Sequence, residues 1–146
     1  MTQTLGLSLE TAREIVAATR SSGRTSGFKP LTVEVLDAGG HVVAAEREDG
    51  SSNKRFEIAF GKAHGALAMG LGSRALQVRA QEHPYFMAAV TPAVGGSLIP
   101  VPGGVLVRDA DGTLLGAVGV SGDNSDNDEA AAMAGIQSAG LVGQPD

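Results

Sequence analysis

From about Ser51 to Met69 the sequence carries apolar residues on two opposite sides of one predicted helix, and this limits the possible folds more than any other feature. At about 100° per residue, Phe56, Ala59, Phe60, Ala63, Ala66, Leu67 and Gly70 share one stripe, and Ile58, Gly61, Gly65 and Ala68 the other. A helix with no wet side is sandwiched. A second predicted helix, Asp126 to about Ala139, carries no charge after Glu129 and also needs cover. Two such helices call for a layered molecule. The preferred expectation is that copies of the chain cover these faces, giving a homo-oligomer. The alternative is that the two helices cover each other within one chain.

The remaining pattern supplies the layers. Ser8 caps a helix from Leu9, with Ala12, Ile15, Val16 and Thr19 on one face, ended by Ser21-Ser22-Gly23. Leu31 to Leu36 and His41 to Ala45 read as a hairpin around Asp37-Ala38-Gly39-Gly40. After the long helix, Ser73 caps a short one from Arg74 to about Glu82, stopped by Pro84. Tyr85 to Val90 is predicted as a strand. Gly104 to Arg108 and Thr113 to Val120 flank the turn Asp109-Ala110-Asp111-Gly112. Ser125 to Asp128 has capping-box spacing before the last helix. The class is α+β, one domain over residues 1–146, with a mainly antiparallel sheet flanked by helices.

Charge and composition exclude several functions. A net charge of −5 with 11 scattered Lys and Arg leaves no basic patch for phosphates, so no nucleic-acid partner is expected. The absence of cysteine removes disulfides, thiolate metal sites and a cysteine nucleophile. Pro84 to Val107 is charge-free, but four prolines and two Gly-Gly pairs break any spanning helix, so no membrane role is expected. The start, Met1 to Leu5, lacks a basic region before an apolar run, which points to a cytoplasmic protein. Gly-x-Ser-x-Gly, His-Glu-x-x-His, phosphate-loop and dinucleotide fingerprints are absent.

Several segments together resemble the GlcG/HbpS family of small haem-binding-like proteins, a pattern shared with the C-terminal domain of PduO-type adenosyltransferases. They are Leu9-Glu10-x-Ala12, Val35-Leu36-Asp37-Ala38-Gly39-Gly40-His41, Arg47-x-Asp49-Gly50 and Ala59-Phe60-Gly61-Lys62-Ala63. Pro102-Gly103-Gly104-Val105, Gly116 to Gly122 and Asp128-Glu129-Ala130 complete the set. Their order and spacing carry the resemblance, from about Leu7 to Leu141. It implies a profilin-like layered fold with a five-stranded antiparallel sheet, assembly into dimers to octamers, and haem or another small ligand. The haem-ligating positions of the family do not fall in the shared segments and are not transferred.

Among the residues, three histidines are the only nitrogen ligands for a haem iron. His41 sits at a hairpin exit and reads as an exposed turn residue. His64 lies at the edge of the long helix's main stripe beside Phe60 and Leu67. His83 stands beside Tyr85, Phe86 and Met87; its bland role is a helix cap. Lys62, at the stripe's other edge, together with Arg47, Arg55, Arg74 or Arg79, is a candidate for carboxylates, including haem propionates or an organic acid, against salt bridges to Glu57, Glu82 or Asp49. Gly103 and Gly104 close an apolar loop whose amides suit an anion, or they only satisfy turn geometry.

The leading expectation is a homo-oligomeric protein binding haem or a related tetrapyrrole, with an iron-handling or redox-protective role. A cofactor-independent hydratase, lyase or isomerase for a small organic acid is the alternative, favoured by low aromatic content. A structural subunit is the third.

Overall fold

The computed structural model describes residues 6–146; residues 1–5, on which the expectation about the chain's start rests, lie outside them. In chain order the elements are α1 (Leu9–Thr25), β1 (Thr32–Asp37), β2 (Val42–Arg47), α2 (Arg55–Met69) and α3 (Ser73–Glu82). α4 (Pro84–Ala93), β3 (Gly104–Arg108), β4 (Leu114–Ser121), α5 (Ser125–Ser138) and β5 (Val142–Gln144) follow. The sheet runs β2-β1-β4-β3-β5, every pair antiparallel. This is the α+β, profilin-like arrangement expected.

Alternation on the strands makes two faces. Val33, Val35, Val105, Val107, Val118 and Val120 point to one side, under α1 and α5. Leu36, Leu106 and Ala117 point to the other, under Ala63 and Ala66 of α2. Two glycines bring α2 onto the sheet backbone to backbone. A Cβ at Gly119 would collide with the Ala59 carbonyl oxygen, and one at Gly104 with that of Lys62.

The faces predicted to need a second copy are covered within the chain. The loop after α4 closes the outer side of α2: Ile99 and Leu98 lie 2.5 and 2.9 Å from where Cβ atoms of Gly61 and Gly65 would be. Ile99 N–H also donates to the Gly61 carbonyl at 3.1 Å. α1 covers α5 as closely, with Thr19 Oγ1 filling the space that a Cβ at Gly135 would need. The two helices do not cover each other, because each finds a different segment of its own chain; Ala68 and Ala130 stay exposed.

Several elements depart from expectation: α2 begins at Arg55 rather than at Ser51, and Gly72 and Asn124, not Ser73 and Ser125, stand at the N-caps of α3 and α5. Tyr85 to Val90 is helix, not strand. Pro84 occupies the first turn, where no N–H is needed, and Met87, Val90 and Val94 recur at helical spacing against Leu76 and Leu98. α1 continues through Gly23, whose bare Cα lets the Leu31 side chain pack to within 2.6 Å of where a Cβ would stand. It ends at Gly27, with φ +72°, in a Schellman turn closed by Phe28 N–H to Gly23 O at 2.9 Å. The fifth strand is therefore the short edge strand β5, paired with β3.

Candidate functional site

Lys62 is the most buried cation, 2% exposed on the sheet-facing side of α2. Its ammonium donates to Val120 O at 3.0 Å and to Asp128 Oδ2 at 3.1 Å. Asp128 also accepts from Asp123 N–H at 2.9 Å through its other oxygen. Burial pulls the Lys62 pKa below its ordinary value and pushes that of Asp128 up, while their mutual attraction opposes both shifts. The pair ties α2 to α5. It leaves Lys62 no reach towards a ligand, so its expected role with carboxylates is replaced by a structural one.

Gly103 and Gly104 belong to the same packing. A Cβ at Gly103, where φ is +122°, would stand 2.8 Å from Lys62 Nζ. The Gly104 N–H is taken by Ser73 Oγ at 2.7 Å. They admit α2 to the sheet; the Gly104 amide is not available to an anion.

His64 is half-buried and stacks on Phe60, with ring centroids 5.2 Å apart. Its Nδ1 lies 2.8 Å from the Ser97 carbonyl oxygen. A carbonyl only accepts, so Nδ1 carries the proton and the neutral ring keeps its lone pair on Nε2. That is how ligating histidines are commonly oriented. The adjoining cavity, between α2 and the β1–β2 turn at Gly39 and Gly40, holds about 150 Å³. This is far too small for a macrocycle, whose sites fall within roughly 300–1,000 Å³. His41 is an exposed turn residue, 3.1 Å from Asp37.

His83 stands at the junction of α3 and α4, exposed to solvent. Two adjoining clefts open here. One of about 480 Å³ lies along α3, between Leu71, Val78 and Arg79; the other, about 430 Å³, is lined by Arg79, Glu82, His83 and Phe86. The Arg79 guanidinium lies over the Phe86 ring, 5.8 Å from its centroid, and no carboxylate reaches it among the described residues. Arg74, in the first cleft, is already committed to Asp126 and Glu129. Tyr85 lines neither cleft and is 91% exposed on the outer side of α4. Met87, placed beside His83 by sequence, is buried against Leu76 and Leu98 instead. No group of three or more His, Cys, Asp or Glu side chains is arranged for a free metal ion among the described residues. A single imidazole beside a cleft of this size fits a metal that arrives within its own macrocycle.

The structure thus separates the residues marked by sequence. Lys62, Gly103 and Gly104 form one structural contact; His64 sits at the hairpin end of α2; Arg47 lies on β2, donating to the Ser51 carbonyl; His83 and Tyr85 are on the outer helices. Arg79, one of several candidate cations, and Phe86, a neighbour of His83, were marked separately; the helix break at His83 hides their approach. Glu34 was also missed. It is 0% exposed under α2, with neither carboxylate oxygen hydrogen-bonded. Burial, helped by the charge of Glu57, raises its pKa to about 8, against the nearby Phe60 amide.

Comparison with known proteins adds the lineage. Residues 7–137 match the family described as "Haem degrading protein HbpS-like". No curated protein sequence matches. Among solved structures, that of HbpS superposes with a TM-score of 0.78 at 28% identity, covering 94% of this chain and 92% of that one. PduOC, solved as a haem complex, gives 0.82 at 23% identity over 93% and 96%. The ORFY protein of Klebsiella pneumoniae gives 0.83 at 21% over 96% and 94%.

Proposed function

The chain belongs to the HbpS-like family, and from that premise we propose that it is a homo-oligomeric haem-binding protein of the cytoplasm, with an iron-handling or redox-protective role. The clefts along α3 and α4 would hold the macrocycle. One observation carries this reading: an unpaired Arg79, the His83 imidazole and the Phe86 ring share one wall of a cleft whose volume suits a cofactor. His83 would hold the iron through its imidazole, Phe86 would give the ring an apolar contact, and Arg79 would pair with a propionate. Haem bound there supplies one-electron and oxygen chemistry.

Self-association draws its support from α4 rather than from α2 or α5. Pro84 to Ala93 carries no charge, yet Tyr85, Phe86, Ala88 and Ala89 face solvent. An exposed apolar helix beside an open cleft is suited to being closed by a second copy, which would supply the missing wall.

Titration of the apo-protein with haem, read at the Soret band, tests the proposal. A saturable shift at micromolar haem is expected, lost in His83→Ala and kept in His64→Ala. Absence of any saturable shift sinks it. The alternative of a cofactor-independent lyase or isomerase for a small organic acid draws on one group, the Glu34 carboxyl, which holds its proton near neutral pH and engages no side chain.

A further inference from the structure

Five buried side-chain polar atoms lack a hydrogen-bond partner among the described residues: Thr19 Oγ1, Thr32 Oγ1, both Glu34 oxygens and Ser51 Oγ. Native interiors leave few such atoms, and a cluster of them marks a place where something polar belongs. Four of these five lie on β1 or in the segment before α2. Thr32 and Glu34 are alternate residues of β1, both facing α2. Thr32 stands opposite Arg47 on β2 and Ser121 on β4. Arg47 donates to the Ser51 carbonyl. Arg55, in the first turn of α2, donates to Ser121 Oγ at 3.1 Å and Ser52 Oγ at 2.9 Å.

Of these side chains Ser51 lines a cavity of about 190 Å³, together with Lys29, Pro30, Gly50, Ser52, Arg55 and Gly122. Ser51 is only 7% exposed. The chain has 16 acidic residues against 11 basic ones, yet Lys29, Arg47 and Arg55 have no carboxylate within 4.0 Å among the described residues. The nearby carboxylates are engaged elsewhere. Glu48 holds the Leu31 amide at 2.7 Å and both Arg20 and Arg24. Asp123 holds the amides of Lys29 and Asn124 and the Asn127 side chain.

We propose that this cavity binds a small carboxylate bearing a second oxygen, a hydroxy or oxo acid, with its carboxylate on Arg55 and Lys29. The planar Arg55 fork matches a carboxylate, and the unpartnered hydroxyl of Ser51, which lines the cavity, suits a neutral oxygen. The volume accommodates about six water-sized groups at roughly 30 Å³ each.

The test is an amide-resolved NMR titration of the full chain with lactate, pyruvate and malate, using phosphate and chloride as controls. At least one of the three carboxylates should give saturable millimolar shifts at Gly50, Ser51, Ser52 and Gly122. Arg55→Gln and Lys29→Gln should each bind at least about ten-fold more weakly, as loss of one charge-assisted contact gives. Their unchanged spectra elsewhere show that the fold survives. No saturable shift with any carboxylate up to tens of millimolar overturns the proposal; so does an equal response to phosphate or chloride, or undiminished binding by both variants. The site lies apart from the α3–α4 clefts, so the haem titration of these variants should match that of the parent, and either idea can fail alone.

Discussion

α2 and α4 are both rich in apolar residues, yet they meet opposite fates. α2 carries glycines at four-residue spacing, Gly61 and Gly65, and onto them the chain lays Leu98 and Ile99. α4 offers aromatic rings instead, and of its ten residues only Met87 is buried. Small residues on an apolar face let the chain's own backbone approach and finish the packing locally. Large exposed rings have nothing of their own chain to meet. An uncharged helix therefore does not identify an interface; the size of its outward residues separates cover by self from cover by another.

If the inner helix is a finished structural joint, Lys62→Met should be the most costly change. It strands Asp128 in the interior, and breaking a buried pair in this way costs about 3–5 kcal/mol. Urea unfolding would read it; a loss under about 1 kcal/mol would show the pair to be dispensable. Gly119→Ala comes next, since the new methyl meets the Ala59 carbonyl, and overpacking of this kind costs about 1–3 kcal/mol.

The inner side should also titrate. Glu34 in the fold keeps its proton up to about pH 8, whereas in the unfolded chain it ionises around its ordinary value of 4.5. Between those values the unfolded state alone releases the proton, so stability falls by about 1.4 kcal/mol per pH unit, and is constant from this group above and below. Glu34→Gln should abolish that slope in unfolding curves measured from pH 5 to 8. A slope that survives the substitution would assign it to another group.

On the outer helix the smallest effect is expected. Tyr85→Ser removes a side chain that touches little of its own chain, so stability should stay within about 0.5 kcal/mol. Its consequence should appear in mass instead: light scattering is expected to show the parent as an oligomer and the variant shifted towards monomer. A monomeric parent would remove self-association from the proposal.

The hairpins and the two major helices were legible because their signals are local. Strand alternation and turn glycines place Thr32 to Arg47 and Gly104 to Ser121 to within a residue or two. The run Tyr85 to Val90 misled because its Tyr, Phe and Val residues favour strands, while its helical spacing shows only against Leu76 and Leu98 from other segments. β5 spans only Val142–Gln144, too short to carry a period. The candidate sites were less legible. His83 stood out by its neighbours, but Arg79 was one of four arginines that local sequence could not rank. Glu34 reads as the polar member of an alternating strand, and only a helix laid on that face makes it a buried acid.

By itself the sequence determined which segments are helix or strand over most of the chain, the family resemblance, and that α2 would be covered on two sides. Those properties depend on neighbours within a few residues. Tertiary structure alone decided what does the covering, which cations remain unpaired, and which histidine stands beside a cleft. Such outcomes depend on pairs as distant as Lys62 and Asp128, brought to 3.1 Å only when α2 and α5 close on the sheet.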